Sequence, residues 1–280
     1  MNISQLINIG SKALKQKHIQ THLLDSELIL SIVLKKSREN ILTSLEQHVS
    51  DDIVTAFNSR IKRREKKEPI AYITKKKEFW SKNFIVDKNT LIPRPETELM
   101  VEKISEYFKD KEIFILDIGT GSGCILLSLL EENQKFNGIG IDVSKKAIDI
   151  AKKNLKNLNL IKRAKLFNRP LDKLFNYKFD LIVSNPPYIN SNQIKNLSED
   201  VRKYEPRIAL DGGNDGLDVI KKVIYKSKNI LKRKGILALE IGYGQFKKVS
   251  QILKLNGFKE KYLIKDYQNN IRCILTVLNH

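Results

Sequence analysis

The sequence predicts an α/β protein: a doubly wound, mostly parallel sheet preceded by a small helical domain. Three observations carry that expectation. From about residue 112, short apolar runs alternate with helical repeats. A glycine-rich turn, Asp117-Ile118-Gly119-Thr120-Gly121-Ser122-Gly123, follows the first of those runs. Residues 1–70, by contrast, show helical spacing and no strand-like alternation.

In chain order, Leu6, Ile9, Ala13 and Leu14 mark a first amphipathic helix. Leu23, Leu24, Leu28, Leu30 and Leu34 mark a second, with Asp25-Ser26-Glu27 interleaved. Ile53, Ala56, Phe57 and Ile61 mark another. A small bundle over 1–70 that positions a partner is expected. His18 and His22 are four apart and would share a helix face, but no further ligand set accompanies them, so no metal is expected. His48 and His280 belong to no constellation.

Residues 71–95 read as a connector with strand character. Glu78-Phe79-Trp80 and Phe84-Ile85-Val86 suggest a hairpin turning at Ser81-Lys82-Asn83. Pro93 and Pro95 exclude a helix interior, so the next helix should begin at Glu96 or Thr97 and run through Leu99, Val101, Ile104 and Phe108. Residues 96–280 form the expected catalytic domain. Its strands are expected at 113–116, 138–141, 165–167, 179–184 and 236–239, with two more at the end. Its helices are expected at 125–130, 147–155, 217–231 and 246–253.

The 280 residues, 41% of them hydrophobic, are enough for one such domain and a smaller companion. No apolar run is long enough for a membrane span, and the first residues lack a basic region followed by an apolar stretch. A cytoplasmic protein, not membrane-bound, is expected. Two cysteines far apart make no disulfide framework. Cys124 reads as a small apolar residue in a first helical turn rather than a nucleophile, and Cys273 as strand packing. The net charge of +19 invites a nucleic-acid partner, yet the lysines are spread along the chain. The densest cluster, Lys62-Arg63-Arg64-Glu65-Lys66-Lys67, contains an acid and reads as a solvated helix end, with polyanion contact the second possibility.

Two motifs carry chemistry. Gly119, Gly121 and Gly123, with Thr120 and Ser122 between them, let a ligand approach the backbone, and the following helix offers free N–H groups. Asp142 ends the second strand, where its carboxylate can accept from both hydroxyls of a ribose. That much suits a nicotinamide dinucleotide or S-adenosylmethionine. The Gly-x-Gly-x-Gly spacing and the acid at Asp117 favour the second, because a carboxylate can hold the ammonium of a methionine moiety but repels a pyrophosphate. The second motif is Asn185-Pro186-Pro187-Tyr188, directly after an apolar strand. The Asn185 side-chain carbonyl can accept one N–H of a planar amide or amine, and the Pro186 carbonyl the other. The proline rings hold those carbonyls and contribute no competing N–H. Tyr188 offers a flat face. Such a site holds a delocalised nitrogen in line with a methyl donor and needs no general base.

With these motifs and their flanks, the sequence resembles the bacterial peptide-chain release-factor glutamine methyltransferases over roughly residues 60–278. The flanking blocks are Glu68-Pro69-Ile70-Ala71-Tyr72-Ile73-Thr74, Glu78-Phe79-Trp80, Leu91-Ile92-Pro93-Arg94-Pro95-Glu96-Thr97-Glu98, Tyr204-Glu205-Pro206, Ala209 to Leu217 and Glu240 to Gln245. The resemblance implies a seven-stranded sheet of the S-adenosylmethionine-dependent methyltransferase type. It implies transfer of methyl to the side-chain nitrogen of the glutamine in a Gly-Gly-Gln loop. Release factors would be the protein substrate, nucleic acid would not be required for the chemistry, and the enzyme would act as a monomer. By motif, Gly119 to Gly123, Asp142 and Asn185 would contact the donor, and Asn185 to Tyr188 the glutamine amide. Lys67 and Lys75 stand where the family usually has glycine, and Phe167-Asn168-Arg169-Pro170-Leu171 lacks the family's usual acid and aromatic beside the adenine. The alternative is an amino-methyltransferase acting on a base of DNA or RNA, which would want a base-flipping pocket and clustered basic and aromatic residues.

Overall fold

The computed structural model describes residues 1–173 and 177–278, so His280 lies outside the described residues. The elements, in order, are α1 (Ile3–Gln16), α2 (His22–Leu34), α3 (Arg38–Leu42), α4 (Asp51–Glu65), α5 (Ile70–Thr74), β1 (Lys76–Phe79), β2 (Lys82–Ile85), α6 (Pro95–Tyr107), β3 (Ile113–Ile118), α7 (Cys124–Glu132), β4 (Phe136–Asp142), α8 (Lys145–Asn157), β5 (Ala164–Asn168) and β6 (Phe179–Ser184). There follow α9 (Glu199–Tyr204), α10 (Asp218–Ile230), β7 (Leu231–Glu240), α11 (Phe246–Leu255), β8 (Phe258–Lys265) and β9 (Ile271–Leu278). They sort into two compact units. One is Met1–Lys76 with Ser198–Tyr204; the other is Lys77–Leu197 with the chain from Glu205 on.

In the first unit, α1 opens on a capping box in which the Asn2 side chain accepts from the Gln5 N–H and the Gln5 side chain accepts from that of Asn2. Its core gathers Ile3, Leu6, Leu14, Ile29, Leu30, Ile41 and Phe57. The expected apolar face of α2 is partly inverted. Leu23 and Leu24 are 47% and 42% exposed, whereas Asp25, Ser26 and Glu27 are buried. Each buried polar group has a partner: Arg64 to Asp25 at 2.7 Å, Arg38 to Glu27 at 2.6 Å, and Ser26 Oγ donating to the Ile7 carbonyl at 2.8 Å. Paired charges tolerate burial, and hydrophobic spacing cannot see partners distant in sequence. His18 and His22 do not share a helix. His18 precedes α2 at φ 54°, and His22 Nδ1 meets Ser11 Oγ at 2.8 Å. The basic cluster is largely engaged within its own unit. Arg63 pairs with Glu68, Arg64 with Asp25, and Lys67 donates to the Lys17 carbonyl.

The second unit is built on a seven-stranded sheet in the order β5-β4-β3-β6-β7-β9-β8. The first five strands are mutually parallel; β9 runs antiparallel to both its neighbours. Both faces are covered, as a parallel sheet requires. Ile113 and Ile115 pack with α6, α7 and α8, while Leu116 and Ile118 pack with α10 and α11. Phe79 and Phe84 of the β1–β2 hairpin belong to the first of these cores. Each such fully buried side chain contributes about 1.5–3 kcal/mol.

Several boundaries differ from expectation. The hairpin turns at Trp80-Ser81, with φ of 51° and 56°, not at Ser81-Lys82-Asn83. Two positive φ values match the twist of the flanking strands. Residues 70–74 are helical rather than extended. Helix α6 begins one residue before the expected Glu96, because Pro95 sits at its first position, where its missing N–H costs no intrahelical bond. Leu231 opens β7 rather than closing α10, pairing with Phe179 across a register irregularity.

Register brings three strand ends together. Ile118 lies level with Ile141 on one side and Ser184 on the other. The chain order reverses between β3 and β6, where ligands of such sheets bind.

Candidate active site

A cavity of about 310 Å³ opens at that switch point, within the roughly 300–1,000 Å³ usual for small-molecule sites. Gly119, Thr120, Gly121 and Ser122 line one side, Ile141, Asp142, Val143 and Ala147 a second, and Asn185, Pro186 and Pro187 a third. All come from the second unit.

The glycine turn is held from behind. The N–H groups of Gly119 and Thr120 both donate to the Ile141 carbonyl, at 2.9 and 3.0 Å. Gly119 and Gly121 have φ of 74° and 57°, and a Cβ on Gly119 would meet no atom within 4 Å. The backbone therefore borders open space that a ligand can fill, in a conformation L side chains rarely adopt. Asp142, expected to take ribose hydroxyls, lines the cavity. Its Oδ2 also accepts from Gly121 N–H at 2.9 Å and its Oδ1 from Ser144 N–H at 2.8 Å. A carboxylate offers about four acceptor positions, so room for a ligand remains beside the Gly121, Ser144 and Val143 N–H groups. Burial raises its carboxyl above the ordinary range, while those N–H groups oppose the shift.

Asp117 sits elsewhere than expected. It is buried behind the turn and does not line the cavity. Its Oδ2 accepts from Thr120 Oγ1 at 2.6 Å, so it braces the turn. Burial lifts its carboxyl to about 7, against the Thr120 hydroxyl and the Leu126 backbone, which favour the ionised form. A folded-state value above the unfolded one means that the folded chain keeps a proton the unfolded chain releases. This group's contribution is therefore fully present below about pH 4 and lost as pH rises toward 7. Between pH 4 and 7 the thermal midpoint of Asp117→Asn is expected to fall less than that of the parent chain; equal slopes would contradict this assignment.

Of the acceptor motif, Asn185, Pro186 and Pro187 reach the cavity. Tyr188, expected to lay its ring on a planar substrate group, does not. Its ring packs against the core under α10 and α11, with the Arg272 guanidinium 6.0 Å from its centre. Its carbonyl accepts from Gln245 Nε2 at 2.9 Å. Burial, first of all, raises its phenol above the ordinary range. The ring thus supports the motif from below.

Sequence reasoning missed several residues. Thr97 in the first turn of α6 lines the cavity and donates to the buried Glu240 carboxylate at 2.6 Å. Arg94 pairs with the buried Glu205 at 2.6 Å, and Glu205 also accepts from Ile92 N–H, fixing the proline-rich segment at the cavity wall. Asn154 of α8, wholly buried, bonds both backbone groups of Ile85 and the Ser122 carbonyl, tying the glycine turn to β2. Arg169 to Asp172 also line the cavity, although their sequence assigned no adenine contact. The quoted blocks around Thr97, Arg94, Glu205 and Glu240 were the available signal; Asn154 had none. Cys124 lines the cavity, but burial pushes its thiol up to about 12, so it is no nucleophile at neutral pH. Cys273 is buried in β9 and its thiol is likewise raised by burial.

A five-stranded parallel array closed by an antiparallel pair, with a glycine turn and Asn-Pro-Pro-Tyr on adjacent strand ends, defines an S-adenosylmethionine-dependent methyltransferase. The fold is shared with a solved methyltransferase from Pyrococcus furiosus, at TM-score 0.53 and 19% identity over 79% of this chain and 96% of that one. Residues 5–74 match the PrmC N-terminal domain, and residues 95–202 the methyltransferase small domain. The release factor glutamine methyltransferase of Clostridium acetobutylicum is 38% identical over 99% of both chains. That of Buchnera aphidicola is 40% identical over 97% of both. The chain belongs to the release factor glutamine methyltransferase family.

Proposed function

We propose that this chain transfers a methyl group from S-adenosylmethionine to the side-chain amide nitrogen of the glutamine in the Gly-Gly-Gln loop of peptide chain release factors. The observation that carries this reading is one cavity lined by the glycine turn, Asp142 and the Asn185-Pro186 pair together. The residues suit the donor. The open space beside Gly119 admits it, the Asp142 carboxylate suits ribose hydroxyls, and Ile141, Val143, Ala147 and Leu171 offer apolar surface for a purine. When bound, S-adenosylmethionine supplies a methyl group on a positively charged sulfur, an electrophile needing no further activation.

The chain's own task is to hold a poor nucleophile. Asn185 Oδ1 and the Pro186 carbonyl each accept one N–H of the glutamine amide, which aims the nitrogen. As the new N–C bond forms, the sulfur–methyl bond breaks and the neutral thioether S-adenosylhomocysteine is the leaving group; the methylated nitrogen carries a strongly acidic proton that is lost to water, so no side-chain base is needed. A cytoplasmic location goes with this reading, since release factors act in translation. Among the described residues no helix is long and apolar enough to cross a membrane. The test is incubation with labelled donor and purified release factor, with tRNA and DNA in parallel, followed by mapping of the modified atom. Label on a nucleic-acid base and none on glutamine would replace this reading with the base-methylating alternative.

The helical unit is proposed to recognise the release factor away from the reacting loop. A chain beginning at Lys77 keeps Phe79 and Phe84, which the catalytic core needs. Such a chain is expected to methylate a short Gly-Gly-Gln peptide normally, but full-length factor with ~10²-fold lower kcat/KM, as for the loss of one of two linked contacts. Equal activity on the full-length factor would show that the helical unit has another role.

A further inference from the structure

We infer that Glu240, acting through Thr97, is a positioning residue that fixes which way the Asn185 amide faces, and so makes the cavity selective for a group that donates N–H. This rests on the function proposed above and deepens it. Ser184 and Leu239 are register partners in adjacent parallel strands, so Asn185 and Glu240 leave the sheet side by side. Glu240 is 1% exposed and does not line the cavity. Any influence it has on substrate must pass through a neighbour.

The neighbours form a chain with a defined direction. Thr97 Oγ1 donates to Glu240 Oε2 at 2.6 Å. Burial raises the Glu240 carboxyl, while the Thr97 hydroxyl and the Arg272 charge favour its ionised form. A hydroxyl has one proton, and with Glu240 ionised this one is committed to the carboxylate. What Thr97 presents to Asn185 is therefore a lone pair, and Asn185 Nδ2 lies 3.5 Å from it as donor. The Asn185 side chain also favours the ionised form of the Glu240 carboxyl. In the reverse orientation the Asn185 carbonyl oxygen would face a hydroxyl lone pair and a buried carboxylate, with no proton between them. The amide NH2 is thus held toward Thr97 and Glu240, and Oδ1 is left for the substrate. On the far side, Tyr188 Oη lies 3.5 Å from Glu240 Oε1 and 3.3 Å from Arg272 Nη2. The Arg272 charge compensates the buried carboxylate, as a buried charge requires.

A pure acceptor at this point prefers a primary amide. A glutamate in the same loop would set its carboxylate against Oδ1 and the Pro186 carbonyl, with the Glu240 charge behind them.

The test compares the parent chain with Glu240→Gln, Thr97→Val and Thr97→Ser. Purified release factor is the substrate, donor affinity is measured by calorimetry, and the Asn185 side-chain NH2 is followed by NMR hydrogen exchange. Glu240→Gln and Thr97→Val are expected to lower kcat ~10- to 100-fold, the usual cost of a misaimed group. Donor dissociation constants should move less than about threefold, under 1 kcal/mol. Thr97→Ser, which keeps the hydroxyl, should recover most of the turnover. The Asn185 NH2 should exchange faster in Thr97→Val than in the parent. If Glu240→Gln does not fold, the Thr97 pair decides alone, since it leaves both charges in place. Unchanged kcat, a fall that merely follows donor affinity, or Thr97→Ser no better than Thr97→Val would overturn the inference. A parent chain that leaves release-factor glutamine unmodified would defeat the proposed function instead. The exchange measurement would still judge the orientation of Asn185.

Discussion

Asn185→Ala is expected to lower turnover on release factor by ~10²–10³-fold or more, as loss of one preorganised polar contact does in enzyme sites. Donor affinity should fall by less than about tenfold, because the other donor contacts stay in place. The separation follows from geometry. Gly119, Gly121 and Asp142 belong to the ends of β3 and β4, whereas Asn185 follows β6. Alanine removes the acceptor for one amide N–H and lets the nitrogen rotate away from the methyl group. Single-turnover rates alongside donor titration measure the two effects separately. Near-normal turnover would mean that Asn185 does not hold the reacting amide.

Asp142→Ala should raise the donor dissociation constant ~100-fold, about 3 kcal/mol, from hydrogen bonds to a charged group at the ribose. Part of that loss comes from the turn itself. The carboxylate accepts from Gly121 N–H and Ser144 N–H, so its removal frees the loop that borders the ligand. Asp142→Asn separates the two contributions, since its single carbonyl oxygen can keep one of these bonds. Calorimetric titration with S-adenosylhomocysteine reads the affinity without turnover, and an unchanged value would exclude Asp142 from the donor site.

The central strands of the catalytic unit were legible because each contains an apolar run bounded by turn residues, whereas β8 at the edge is mostly polar and exposed. Phe179–Ser184 has its expected limits. The glycine turn and Asn185 were legible because their residue types are unusual at strand ends. Boundaries failed where a residue's role depends on its place in an element. Pro95 breaks a helix interior yet opens α6, and Trp80 resembles a strand residue yet occupies a turn. The apolar face of α2 failed for another reason: Asp25 and Glu27 are buried on the strength of Arg64 and Arg38, which no local window contains. Within the site, Asp117 and Tyr188 have the chemistry expected of ligand contacts, but neither lines the cavity: Asp117 Oδ2 accepts from Thr120, and the Tyr188 ring packs on the core.

The order of residues along the chain was sufficient for the sheet, the class of donor and the amide-gripping pair, since apolar period and special backbone requirements are local properties. Folding alone decided how that pair is oriented. Thr97 is 88 residues from Asn185, and Glu240 is 143 from Thr97, yet one shared proton between the last two leaves the asparagine a single favourable way to face. Hydrogen-bond direction depends on every partner at once, and those partners meet only when β6, β7 and α6 pack.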